Sequence, residues 1–132
     1  MNIKKANLVL LGVLALSTHS FIAKAITVDC PPHGDIQLKH IKGEEWTATY
    51  PDWRPLDDFD VKNLPKNGPL NIVSSPPAEV IEMIHKQQTV YYLHCAYSGT
   101  NFGGSFQLSS PAIKASRCVL DSANNLRMNC TQ

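Results

Sequence analysis

The sequence predicts an α+β fold that is mainly antiparallel β: a single small, disulfide-stabilised domain of five to seven strands with at most one short helix. Three observations predict it. Short stretches alternate apolar and polar residues, and clusters of Pro, Gly, Asn and Asp separate them, which is the pattern of strands and turns. Four cysteines, Cys30, Cys95, Cys118 and Cys130, follow an export-type leader, and an even number of cysteines in a small exported chain reads as a disulfide framework. At 132 residues the chain is short enough for one domain, and at 43% hydrophobic and 17% charged it is too apolar to be disordered.

Residues 1–25 read as a cleaved signal peptide. Lys4 and Lys5 supply the positive start, residues 6–15 an apolar run, and Ala23-Lys24-Ala25 a small-x-small cleavage site. Ser17, Thr18, His19 and Ser20 interrupt the run well short of the roughly 20 apolar residues that cross a bilayer, so no membrane span remains after cleavage. The secreted domain is then residues 26–132. Removal of Lys4, Lys5 and Lys24 leaves nine Lys and Arg against eleven Asp and Glu, so the formal charge passes from +1 to −2. No basic excess remains to bind nucleic acid. Cys30 follows Val28-Asp29 rather than a small-residue box, which argues against a lipid anchor.

Along the mature chain, residues 35–41 and 46–50 alternate and flank Lys42-Gly43-Glu44-Glu45, which predicts a hairpin. Pro51 and Pro55 break the pattern. Phe59 and Val61 suggest a short strand, Pro65 and Pro69 end it, and residues 70–73 suggest another. Ser75 followed by Pro76, Pro77 and Glu79 has the form of a helix start, and Val80, Ile81, Met83 and Ile84 sit at helical spacing. The segment 76–86 therefore predicts a short amphipathic helix, with a strand as its competitor because three of these residues are β-branched. Residues 89–97 form the clearest strand, apolar on both faces and so expected at the centre of a sheet, covered on two sides. Phe102-Gly103-Gly104 marks a bulge or a close approach of two backbones. Residues 105–109, 115–120 and 126–130 complete the strands. The last two bracket a turn at 121–125, which favours Cys118–Cys130 and leaves Cys30–Cys95. In the chain-entropy model the shorter loop is worth about 3 kcal/mol and the longer about 4 kcal/mol.

Few residues suggest chemistry. His33, His40, His85 and His94 lack metalloprotease spacing, the cysteines lack paired zinc spacing, and no Gly-x-Ser-x-Gly elbow or phosphate loop occurs. No catalytic set, metal set or cofactor is expected. His94 adjoins Cys95, but neighbouring strand residues face opposite sides and a disulfide would occupy the thiol. The acidic run at 44–60 offers Asp57, Asp58 and Asp60 as hard oxygens without the spaced ligands of an EF-hand, or as a carboxylate pair. As a solvated acidic loop it needs neither role. Asn129-Cys130-Thr131 matches a glycosylation sequon. The most suggestive segment is 46–55. Trp46, Tyr50, Trp53 and Arg54 within nine residues have the composition of a protein-binding hot spot or a sugar-stacking platform. Trp46 and Tyr50 share a strand face and read as core, whereas Trp53 lies between Pro51 and Pro55 and is divided between core and surface.

Cys30-Pro31, Ile36, Trp46, Phe59, Cys95-Ala96-Tyr97-Ser98 and the closing Cys118 and Cys130 together resemble a family of small exported, Cys-containing gammaproteobacterial proteins of unknown function. The segment 76–86 departs from that pattern. The resemblance implies export and a disulfide-bonded β-rich fold, and brings no activity, cofactor or site residue. The expectation is an exported binding module, secreted or periplasmic, that engages a macromolecular partner, protein or glycan, through Trp46, Tyr50, Trp53 and Arg54. Two alternatives stand beside it: a small hydrolase using His94 with Asp57 or Asp58, and a protease inhibitor presenting the loop 63–71.

Overall fold

The computed structural model describes residues 24–132, so the signal-peptide reading of residues 1–25 falls almost wholly outside the described residues. Among the described residues twelve strands and one 3-10 turn, His33–Asp35, form three antiparallel sheets around a common apolar core. The first sheet places β12 (Arg127–Thr131) between β1 (Ala25–Asp29) and β11 (Arg117–Leu120). The second is the expected hairpin of β2 (Gln37–Lys42) and β3 (Glu45–Thr49), with β5 (Phe59–Asp60) added to β3. Gly43 stands at the hairpin turn with φ +54°, a left-handed conformation that glycine adopts without a Cβ clash.

The third sheet is built on β8 (Gln88–Gly99). Along one edge of β8 run β7 (Glu79–His85) and then β6 (Ile72–Ser74). Along the other run β10 (Ile113–Lys114) and then β9 (Ser105–Ser109), with β4 (Arg54–Pro55) outside β9. Prolines explain why both flanks are broken in two. Pro76 and Pro77 separate β6 from β7, and Pro111 separates β9 from β10, because a proline has no N–H for the ladder. Ser110 bridges the second break. Its N–H donates to the Leu93 carbonyl at 2.9 Å, and its Oγ accepts from the Leu93 N–H at 2.8 Å.

Residues 76–86 are not a helix. They hold β7, which pairs with β8 from Glu79–His94 through His85–Gln88. Val80, Ile81 and Ile84 lose less side-chain freedom in a strand than in a helix, and the neighbouring 12-residue strand satisfies every second N–H and C=O that a helix would have had to satisfy alone. Lys86 and Gln87 close the hairpin with φ of 51° and 64°, a turn usually made by Asn-Gly. The strand count also exceeds the expected five to seven. The excess comes mainly from the two-residue strands β4, β5 and β10 and from β1, whose pairing with β12 joins the two ends of the described chain.

One face of β8, with Tyr91, Leu93, Cys95 and Tyr97, is buried against Phe106, Leu108, Phe59 and Met128. On the other face Val90 is buried but Tyr92, His94 and Ala96 are only half-buried, so the expected cover on two sides is complete on one and partial on the other. Both disulfides pair as expected. Cys30–Cys95 ties the segment after β1 to the middle of β8, with a Cα–Cα distance of 5.8 Å. Cys118–Cys130 joins directly opposed residues of β11 and β12, with a Cα–Cα distance of 4.0 Å. The close backbone approach expected at Gly103 and Gly104 is present. Gly103 and Lys62 exchange two hydrogen bonds at 2.7 Å, and a Cβ at Gly104 would lie 2.7 Å from the Asp60 carbonyl oxygen.

Candidate functional site

The aromatic segment folds as a strand, a tight corner and an edge strand. Tyr50 and Trp53 face each other as an isolated antiparallel bridge, and the Trp53 N–H donates to the Tyr50 carbonyl at 3.1 Å. Asp52 takes φ 67° inside that corner, a conformation that Asp tolerates better than most residues. The two rings meet edge to face, with centroids 6.5 Å apart and planes at 81°. Each ring is half-buried against the core and half open, and the neighbouring Arg54 is exposed. Tyr50 also borders a 350 Å³ depression beside Asp35 and Gln37.

Trp46 does not join this corner. It lies four residues before Tyr50 along the chain, about 13 Å at strand rise. It packs beside His40 at 5.1 Å between centroids and lines a 610 Å³ groove with Leu38, Leu64 and Leu70. Of the four residues expected together, the structure brings the Tyr50 and Trp53 rings into contact, leaves Arg54 beside Trp53 along the chain and opposite Ser109 on β9, and sets Trp46 apart.

Register supplies an arrangement invisible in the linear sequence. Glu79 on β7, His94 on β8, Ser109 on β9 and Arg54 on β4 stand directly opposite one another, a row across four strands on the half-open face of the large sheet. Burial pushes the His94 pKa below the ordinary histidine range, the Glu79 carboxylate opposes that shift, and the Arg54 guanidinium adds to it. Arg54 therefore belongs both to the aromatic corner and to this row. No sequence motif marks the row, because its members are 15, 15 and 55 positions apart and meet only through strand pairing. The hydroxyl of buried Ser109 donates to the Ser110 carbonyl at 3.2 Å rather than to His94.

Asp57 and Asp58 line a 420 Å³ cavity with Ser75, Ala96 and Gln107, and His94 is not part of that lining. Among the described residues no group of three or more His, Cys, Asp or Glu is placed to hold a metal ion. The loop 63–71 is firmly pinned. The Asn101 side chain accepts from the Asn71 N–H at 2.8 Å and donates to the Pro69 carbonyl at 2.9 Å, while the Lys62–Gly103 bridge holds the loop's start. Leu64 stands out from it, 59% exposed.

These sites and this three-sheet arrangement define a disulfide-bonded, all-antiparallel β protein. Comparison of the chain with protein-family models, with curated proteins and with solved structures finds no match.

Proposed function

We propose that this chain is an exported binding module, secreted or periplasmic, that engages a macromolecular partner, protein or glycan, through the corner formed by Tyr50, Trp53 and Arg54. One observation carries the reading: two aromatic rings locked edge to face by a backbone bridge, each half open, beside an exposed arginine. Rigid aromatics lose little entropy on binding, and an adjacent guanidinium adds directed donors, which is why Trp, Tyr and Arg dominate binding hot spots. The two disulfides are consistent with an oxidising compartment. The resemblance carried by Cys30-Pro31, Cys95-Ala96-Tyr97-Ser98 and the Cys118/Cys130 pair supports export in the same way.

The test is affinity capture from envelope extracts and on glycan arrays with wild type, Arg54→Ala and Trp53→Ala, each checked for native near-UV dichroism. A partner held through this corner loses at least about tenfold in affinity with Arg54→Ala and more with Trp53→Ala. Unchanged affinity in both natively folded variants would remove the corner from the binding surface.

A further inference from the structure

We infer that Asn67-Gly68 is a self-modification site: the Gly68 main-chain nitrogen attacks the Asn67 side-chain amide, and the pair converts to aspartyl- and isoaspartyl-glycine. The attack closes a five-membered ring through the peptide bond that follows the asparagine. A side chain on the next residue hinders that closure, and glycine has none. Within residues 26–132, Asn67 alone is followed by glycine. The residues after the other asparagines are Leu64, Ile72, Phe102, Asn125, Leu126 and Cys130.

The fold leaves this pair free to react. The loop 63–71 is clamped near its two ends, at one by the Lys62–Gly103 bridge and at the other by the Asn101 side chain on the Pro69 carbonyl and the Asn71 N–H. Between the clamps Lys66, Asn67 and Gly68 are all exposed. Among the described residues no hydrogen bond occupies the Asn67 side chain or the Gly68 N–H. Gly68 takes φ +88°, and nothing lies within 4 Å of the place a Cβ would fill, so the ring has room to close. By contrast, hydrogen bonds hold the side chains of Asn101, Asn124 and Asn129.

The chemistry balances without an oxidant or a cofactor. The Gly68 nitrogen gives up its proton to base and bonds to Asn67 Cγ. The Cγ–Nδ2 bond breaks, and the departing nitrogen takes up a proton and leaves as ammonia. Water then opens the succinimide at one of its two carbonyls. Cleavage of the bond from Gly68 nitrogen to Cγ yields aspartate on an unaltered main chain. Cleavage of the bond from that nitrogen to the main-chain carbonyl carbon yields isoaspartate, with Cβ now in the main chain. Either product adds one negative charge, so the formal charge of residues 26–132 passes from −2 to −3. Isoaspartate also lengthens the chain by one carbon between the two clamps. It does so in the wall that Leu64, Pro65, Gly68 and Pro69 give to the groove beside Trp46.

Peptide mass spectrometry of the disulfide-bonded protein, held at neutral and at mildly alkaline pH, tests this. Asn67 is expected to convert at least about tenfold faster than any other asparagine, to give both aspartate and isoaspartate, and to speed up with pH. Gly68→Ala, checked for native near-UV dichroism, slows conversion at least about tenfold. Asn67→Gln, an exposed change that keeps the fold, stops it, because closure would then need a six-membered ring. Conversion in the native protein stays within about tenfold of that in the reduced, denatured chain, because the loop tip is free. Aspartate as the only product, a rate indifferent to Gly68→Ala, or a native loop that protects Asn67 more strongly than this would each overturn the inference.

Discussion

Tyr97 shows how one residue can hold two layers together. It is fully buried, stacks on Phe106 at 5.3 Å, and donates from its hydroxyl to the Pro31 carbonyl at 2.6 Å. Pro31 follows Cys30, so the hydrogen bond and the Cys30–Cys95 disulfide fasten the same segment to β8. Tyr97→Phe leaves the buried Pro31 carbonyl without that donor and should cost about 1–3 kcal/mol in urea unfolding, with the ring packing kept. Burial, with Tyr50 adding to it, raises the Tyr97 pKa well above the ordinary tyrosine range. The neutral form is favoured in the fold, so this contribution is complete below about pH 10 and drains away as pH rises above it. Tyr97→Phe should therefore flatten the alkaline loss of stability.

His94 gives the opposite sign. Burial lowers its pKa, so the stability tied to its neutral form is present above the ordinary histidine value and is lost as pH falls below it. Removing Arg54 takes away a cation that disfavours protonation, and Glu79→Gln takes away an anion that favours it. Proton NMR titration should show the His94 pKa rising in Arg54→Ala and falling further in Glu79→Gln. No change in either variant would separate the row that register brings together.

At the scale of elements, the β7–β8 hairpin carries the clearest conflict between local preference and tertiary result. Ser75, Pro76 and Glu79 spell a helix start, and the apolar spacing that follows fits a helix. The chain nevertheless forms a strand, because β8 offers it a full-length partner. The cost is visible at the turn, where Lys86 and Gln87 occupy left-handed conformations. Lys86→Asn with Gln87→Gly should raise stability by about 1 kcal/mol, seen as a higher urea midpoint at unchanged slope. The loop 63–71 is the counter-example, an irregular segment made rigid by Asn101 and the Lys62–Gly103 bridge. Gly104→Ala should destabilise that bridge region by roughly 1–3 kcal/mol, because its Cβ would meet the Asp60 carbonyl oxygen and φ +155° disfavours a side chain.

For the whole molecule, a described chain of this size buries only about two-thirds of its unfolded surface, so its cross-links matter to net stability. Cys30–Cys95 ties the segment after β1 to the large sheet while Cys118–Cys130 links two neighbouring strands, and the loops they close differ greatly in length, with sequence separations of 65 and 12. The Cys30→Ser/Cys95→Ser variant should lose about 1 kcal/mol more than Cys118→Ser/Cys130→Ser, since loop-closure entropy grows slowly with loop length. Chemical denaturation of the two double variants measures the difference. An equal or reversed loss would mean that strain or residual structure in the unfolded chain, rather than loop length, sets the balance.

The linear sequence alone determined what depends on local pattern. Alternation placed the β2–β3 hairpin, the central strand at 89–97 and β9. The turn at 121–125 identified the hairpin that Cys118–Cys130 closes, and the two glycines at 103–104 marked a tight backbone crossing. Tertiary structure decided what depends on partners. The segment 76–86 became a strand because a neighbour satisfied its backbone, a choice the helical spacing of its apolar residues could not reveal. Trp46 parted from Tyr50, Trp53 and Arg54 because strand rise carries it away from the corner. Glu79, His94, Ser109 and Arg54 came into one row because antiparallel register, set by which faces must be buried, aligns residues far apart in the chain. Local conformation is encoded within a few residues, while proximity between distant side chains is a property of sheet pairing and appears only when the whole core closes.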